Sequence, residues 1–266
     1  MHVISDPFFS PMFGNKAVVL CYHSISNEKW RFSVTSKVFA DHINLLKKNF
    51  EIIPLASLGK KMLSNKKLQV ALTFDDGYED NLQNAAPILK KYELPATIFV
   101  IGELLHANRF ELDNTLSLLS AKQVNQLHGK YGWNIGFHTK SHANLANLTD
   151  TELEKEILLG KLELEKKLAI SLHAFAYPKG YFNTKISGLV KRAGFHTAFT
   201  VAGTVANFRT PFQISRLNIE GKLSATQLET LLTPTGIVFH YVLTQLIQLK
   251  AKIQQAVVGI ITSSKV

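Results

Sequence analysis

The sequence predicts an α/β fold in which a parallel sheet closes, or nearly closes, into a barrel. Three observations predict it. Short runs rich in β-branched residues alternate with longer stretches of 3.6-residue periodicity. The short runs are almost continuously apolar, as strands buried on both faces should be. Six or seven such strand–helix units follow one another in 266 residues with no linker-like stretch, which favours a barrel over an open sheet.

The elements follow in order. "AVVLCYH" (17–23) predicts a strand, and 35–50 a helix with Val38, Phe39, His42, Leu45 and Leu46 on one face. "LQVALTF" (68–74) is a buried strand, 81–92 a helix, and "PATIFVIG" (95–102) another strand. A helix over 120–130 leads into the strand "WNIGFH" (133–138). Thr149 and Glu152 have capping-box spacing at the start of a helix over 149–168. "HAFAYP" (173–178) and "HTAFTV" (196–201) are strands around a helix at 184–195, and 213–219 is a last strand. The whole chain, 1–266, is expected to be one domain, with a core over about 17–220 and a helical extension over 221–266.

Hydrophobic residues make up 46% of the chain and charged residues 19%, a composition that supports a sizeable core and excludes a disordered chain. The net charge of +10 points to an anionic partner. No helix-turn-helix, zinc-finger or RNA-binding aromatic pattern accompanies it, so nucleic acid is not expected. Cys21 is the only cysteine; it rules out an intramolecular disulfide and a thiolate metal cluster, and reads as a buried strand residue. The start, "MHVISDPFFSPMFGNK", lacks a basic region followed by an apolar one, and no apolar run reaches the roughly 18 residues of a spanning helix. Cytoplasmic residence is the expectation. After Glu229 the chain has no acidic residue. From Phe239 onward it reads as an amphipathic helix that either packs on the barrel or lies on the inner face of the membrane.

The chemistry concentrates in two segments. "LTFDDGYEDN" (72–81) places Asp75 and Asp76 where an apolar strand ends, followed by Gly77. In a parallel barrel, function collects at the C-terminal strand ends. Taken alone, the pair reads equally well as a helix N-terminus. "GFHTKSHANL" (136–145) ends another strand with His138 and His142. Two histidines four apart, with one carboxylate, make a three-ligand set that leaves a coordination position open, as catalytic zinc sites do. The other carboxylate is then placed to deprotonate water.

"TFDDG" followed by "HTKSH" resembles the first two motifs of the polysaccharide deacetylase family (the NodB-homology domain, carbohydrate esterase family 4). "YHSI", "PILKKYELPATIFV" and "FAYPKG" fall in family-like order, so the resemblance covers roughly 17–220. It implies a distorted (β/α) barrel of about seven strands and metal-dependent removal of the N-acetyl group from an amino sugar in a polysaccharide or glycan precursor. It implies Asp75 as base and Asp76, His138 and His142 as ligands of one divalent metal, with zinc best suited and cobalt, nickel or iron also fitting. The third motif, ordinarily Arg, any residue, Pro and an aromatic, is here Ala176, Tyr177, Pro178 and Lys179. The resemblance still implies the Lys179 amide as an oxyanion donor, since a backbone donor survives the change, and Tyr177 and Pro178 as residues lining the substrate. Arg216, in "SRLNI", is a candidate for the missing arginine, or else the partner in a structural ion pair. The fifth motif's histidine would be His240, in a segment whose spacing is helical. His23, in "YHSI", is a candidate to line the pocket, and Tyr78, Tyr177 and Tyr181 to stack on sugar rings or pack in the core. Two other readings stay open: a carbohydrate-binding protein that has lost catalysis, and an amidase on a non-sugar substrate.

Overall fold

The computed structural model describes residues 17–58, 67–103, 116–201, 206, 210–240, 242, 243 and 246. Its strands are β1 (Ala17–Tyr22), β2 (Glu51–Ile52), β3 (Gln69–Phe74), β4 (Thr97–Val100), β5 (Asn134–Phe137), β6 (Ala174–Ala176), β7 (Thr197–Thr200), β8 (Ile214–Ser215) and β9 (Leu217–Asn218). Every ladder is parallel, in the order β8-β7-β6-β5-β4-β3-β1-β9. Only Arg216 separates β8 from β9. The segment around it pairs first with β7 (Thr200 opposite Ser215) and then with β1 (Leu20 opposite Leu217), so one short broken strand brings the ring to near closure. With that segment taken as one strand, β1, β3, β4, β5, β6 and β7 complete the expected seven. β2 lies outside the ring, against the first two residues of β3, before β4 takes the same edge at Thr73.

Strand periodicity sorts the apolar residues into two cores. Val18, Leu20, Val70, Leu72 and Ile98 join the large core. Their sequence neighbours Val19, Ala71 and Phe99 pack with Ala176, Phe199 and Ile214 in a second. Two residues on from this second set, at the same strand phase, stand Cys21, Thr73 and Arg216, and two further on His23 and Asp75. The alternation that fills the barrel therefore also aims the chemistry-bearing side chains at its mouth.

The helices are α1 (Ser36–Asn49), α2 (Ala86–Lys91), α3 (Ala121–Tyr131), α4 (Asp150–Glu154), α5 (Gly160–Leu168), α6 (Thr184–Arg192) and α7 (Ala225–Leu231). In α1, Thr35 caps Val38 N, and Phe39, His42, Ile43 and Leu46 are buried. The expected capping box at Thr149 and Glu152 forms. The single helix expected over 149–168 is α4 and α5 joined through a π turn, Lys155–Leu159, and a second π turn, Asn81–Ala85, precedes α2. α7 follows the last strand and is fixed to α1 by His42 Nε2 on the Leu223 carbonyl (2.9 Å) and by Asn49 on Glu229 (2.8 Å). Helix resumes over 234–240. Among the described residues, no helix is long and apolar enough to cross a membrane. Of the expected membrane-facing helix, Phe239, Val242, Leu243 and Leu246 are exposed and most of the rest lies outside the described residues, so nothing here supports a membrane contact.

The loop after β1 is tied to the start of the first π turn by Asp80. Its carboxylate accepts from Ser24 Oγ (2.6 Å) and Ile25 N (2.9 Å). Burial pushes the Asp80 carboxyl up to about 6, against those two hydrogen bonds. A carboxyl whose pKa is higher folded than unfolded stabilises fully below its unfolded value and loses that contribution as pH rises through the folded one. Asp80 should therefore cost stability between about pH 4 and 6, by on the order of 3 kcal/mol. Urea titrations at pH 4 and pH 7 should show a smaller stability difference for Asp80→Asn than for the unsubstituted protein, by about that amount.

Candidate active site

Asp75 continues β3, its amide donating to the Tyr22 carbonyl (2.9 Å). Ordinary strand geometry would then send Asp76 to the opposite face. Instead Asp76 has φ 72° and Gly77 φ 85°, and two consecutive left-handed residues swing both carboxylates into one pocket. Asp tolerates this conformation better than most residues. At Gly77 a side chain would add to the strain and press within 3.2 Å of Val100 Cγ1.

His138 continues β5 in the same way, its amide on the Val100 carbonyl (3.0 Å). Its Nδ1 sits 2.8 Å from the Ala176 carbonyl. That contact fixes the Nδ1–H tautomer, because a carbonyl only accepts, and leaves the Nε2 lone pair facing the carboxylates. Nε2 is 3.5 Å from Asp76 Oδ1 and 3.9 Å from Asp75 Oδ2. Thr139 (φ 66°) and His142 (φ 64°) turn the following loop back, with His142 N donating to Thr139 Oγ1 (3.0 Å). His142 Nε2 reaches 3.4 Å from Asp76 Oδ1. The π turn before α5 holds this loop: Lys140 N donates to the Glu156 carbonyl (3.0 Å), and Ser141 N and Oγ donate to the Glu156 carboxylate (2.9 and 2.6 Å). Glu156 is a supporting residue the sequence did not single out.

Asp76, His138 and His142 each offer a ligand atom within 4.8 Å of the others. In a tetrahedral site with bonds of about 2.1 Å, neighbouring ligand atoms stand about 3.4 Å apart. The two His–Asp76 separations match that spacing, and two neutral imidazoles with one carboxylate form a suitable donor set for a borderline divalent cation.

Arg216 is fully buried and grips Asp75 in a bidentate pair, Nη1 to Oδ1 and Nη2 to Oδ2, both 2.6 Å. Nη1 also donates to Thr73 Oγ1 (3.3 Å) and Nε to the Thr200 carbonyl (3.4 Å). Burial alone would raise the Asp75 carboxyl, but the charge of Arg216 and its hydrogen bonds hold it well below the usual carboxylate range. Burial likewise disfavours the Arg216 charge, and Asp75 more than restores it. Of the two expectations for Arg216, the structure has a buried ion pair, and its partner is the candidate base. The Cys21 thiol is buried as expected, but it also donates to Asp75 Oδ2 (3.4 Å). Its strand phase relative to His23 was the available signal.

His23 does reach the pocket: one ring nitrogen lies within 4.8 Å of ligand atoms of Cys21 and Asp75. Lys179, just past β6, has φ 56°. Pro178 and Tyr177 are buried, and the Tyr177 hydroxyl donates to the Phe212 carbonyl (3.0 Å). Tyr78 is buried as well, so of the three tyrosines only Tyr181, 56% exposed, presents a ring to solvent. His240 stands in the helix over 234–240, not at a strand end, and belongs to neither cluster of ligand atoms.

The polysaccharide deacetylase profile matches residues 63–198, a span holding both carboxylates, both histidines and the third-motif turn. The chain belongs to the polysaccharide deacetylase family. A poly-β-1,6-N-acetyl-D-glucosamine N-deacetylase of Staphylococcus epidermidis is 29% identical over 228 residues, covering 74% of this chain and 78% of that protein. The Streptococcus pyogenes deacetylase PplD, solved in complex with acetate, superposes with a TM-score of 0.70 at 25% identity, over 82% of this chain and 99% of that one. IcaB from Ammonifex degensii has the same fold (TM-score 0.68, 23% identity, 81% and 96% covered).

Within this deacetylase fold Arg216 should carry a large share of stability. Removing one partner of a buried pair leaves the other charge uncompensated, at about 3–5 kcal/mol. Arg216→Met should lower the unfolding free energy at pH 7 by that order. The double variant Arg216→Met/Asp75→Leu should recover much of it. Equal stability of Arg216→Met and the unsubstituted protein would contradict this account of the pair.

Proposed function

We propose that this chain hydrolyses the N-acetyl group of an N-acetylated amino sugar within a glycan. Asp75 is the base, and Asp76, His138 and His142 are the ligands of one divalent cation, zinc by preference. The observation that carries the reading is a buried carboxylate paired with Arg216 and standing 3.9 Å from His138, a candidate ligand. The cation supplies Lewis-acid polarisation of the acetyl carbonyl and a lowered pKa for water.

The chain's own groups do the rest. A carboxylate offers about four acceptor positions; Arg216 takes two and Cys21 one, which leaves Asp75 one direction from which to receive a proton. Water loses that proton as its oxygen bonds to the acetyl carbon. The Lys179 amide, turned by its left-handed φ, donates to the developing oxyanion, a contribution of about 3 kcal/mol where such donors have been removed. Asp75 then passes the proton to the nitrogen as the C–N bond breaks, releasing acetate and a free amine. Arg216 stays charged throughout and fills the place of the arginine that Ala176 replaces. His240, on its helix, has no part in these steps.

The two aspartates should fail differently. Asp76→Asn should lower metal content, with partial recovery of activity in excess metal. Asp75→Asn should keep the metal and lose about 10²–10⁴-fold in acetate release, without rescue. Because Asp75→Asn also weakens the Arg216 pair, thermal unfolding of both variants must accompany metal analysis and acetate assays on N-acetylglucosamine oligomers. If both carboxylates merely capped the following helix, either change would be mild, since Asn caps as well as Asp. Near-normal turnover in a folded Asp75→Asn would overturn the mechanism.

A further inference from the structure

Beside the metal-ligand cluster, the loop after β1 carries an aromatic group that the reaction steps leave unused. Trp30 is half-buried and meets three rings: His23 at 5.7 Å and 89°, Phe32 at 5.4 Å and 77°, and Tyr78 at 5.5 Å and 63°. None of these rings lies stacked on it. Phe32 itself is occupied, stacked on His23 at 4.8 Å and 25° with the Arg31 guanidinium 5.2 Å from its centroid.

The position of Trp30 is specific. His23 shares a ligand-atom cluster with Asp75, and Tyr78 directly follows Gly77, so Trp30 bridges two segments that flank the carboxylate pair. The His23 Nδ1 is buried and has no hydrogen-bond partner among the described residues, a polar atom available beside the aromatic group. The turn bearing Trp30 is also tied down by backbone hydrogen bonds. Ser33 N donates to the Trp30 carbonyl (3.0 Å), Val34 N to Ser24 O (3.0 Å), and Gly221 N to Arg31 O (2.8 Å). Arg31 pairs with Glu220. Any side chain at Gly221 would fall 2.0 Å from the Ser33 carbonyl, so the turn and the chain after β9 are in backbone contact.

A half-exposed ring, propped on three sides and held by a fixed turn, suits a flat partner with an apolar face. A pyranose ring is such a partner: its C–H face meets an aromatic π-cloud while its hydroxyls stay available for polar contacts. We propose that Trp30 is a stacking platform for a sugar ring of the glycan substrate, adjacent to the unit that carries the scissile acetyl group, with His23 and Phe32 as its buttresses. The inference rests on the glycan deacetylase reading and gives Trp30 a role in substrate length and orientation, not in the chemical step.

The chain has two tryptophans, and the other, Trp133, is 1% exposed and stacked on Phe74 at 4.7 Å. A change in tryptophan emission on adding glycan therefore reports Trp30. The metal-loaded full chain is titrated with an N-acetylglucosamine pentasaccharide, and acetate release is followed in parallel for the unsubstituted protein, Trp30→Ala and Trp30→Phe. The expected result is a saturable emission change in the unsubstituted protein. For Trp30→Ala, KM should rise about tenfold with a much smaller change in kcat, and Trp30→Phe should restore most of KM while losing the emission change. Acetate release with no emission change and with KM unmoved in Trp30→Ala would overturn the platform and leave the deacetylase reading standing. A fall in kcat alone would also overturn it, as the mark of a structural role. A saturable emission change without acetate release from any N-acetylated substrate would support the platform and overturn the deacetylase reading.

Discussion

The buried pair between Asp75 and Arg216 joins the barrel's architecture to its chemistry. Arg216 is the residue at which the last strand changes partners, pairing with β7 before it and β1 after it. Its guanidinium fills the barrel mouth, with donors on Thr73, Thr200 and both oxygens of Asp75, and lies 5.1 Å from the Phe99 ring centroid. Neither charge is tolerable alone in so dry a place. The ring closes over a cation that requires an anion, and that anion is the candidate base. The Ala176 side chain packs in the inner core with Phe99 and Phe199, and its backbone carbonyl, which any residue there would supply, accepts from His138 Nδ1.

Backbone strain is distributed in keeping with that centre. Among the described residues, six non-glycine ones have positive φ, and four of them, Asp76, Thr139, His142 and Lys179, are at the candidate site. Each such residue costs of order 1 kcal/mol or more, and local bonds offset the cost. Thr139 Oγ1 accepts from His142 N, and Glu156 takes three donors from Lys140 and Ser141. The π turn at Lys155–Leu159 belongs to this arrangement, because widening the helix frees the Glu156 carbonyl for the Lys140 amide.

Much of this was legible in the sequence, for identifiable reasons. The ring strands are unbroken apolar runs, so β1, β3, β4 and β5 lie within a residue or two of the expected bounds. The paired motifs bring Asp75, Asp76, His138 and His142 together because each ends a strand, and strand ends in a parallel barrel share one face. What escaped depends on contacts distant in sequence. β2 is two residues long and carries no period. α7 lies inside the expected helical extension over 221–266, but its bounds went unmarked because contacts from His42 and Asn49 of α1 help fix it. Arg216 was a named candidate, but its pairing with Asp75, 141 positions away, could not be read from the local sequence. The tyrosines illustrate the same limit: Tyr78 and Tyr177 were as plausible as Tyr181 for stacking, and only burial separates them. Trp30 drew no attention because its significance lies in three neighbours from different segments.

If Asp75 is the base proposed above, its environment has a further consequence. A carboxylate held well below its usual range stays ionised near neutral pH, but for the same reason it is a weak proton acceptor. Arg216 thus secures the correct protonation state at the expense of basicity, and Asp75 by itself would draw a proton from ordinary water poorly. The acidity must come from elsewhere in the pocket. Among the described residues, the donor set of Asp76, His138 and His142 is the feature suited to supply it, 3.9 Å away through His138 Nε2. The adjacency of the two aspartates follows from this division of labour. One carboxylate is nearly saturated by its arginine; the other, turned toward His138 and His142 by a left-handed residue and a glycine, is left as a candidate metal ligand. A strand end that permits two consecutive left-handed residues lets neighbours in sequence do different work at one point in space.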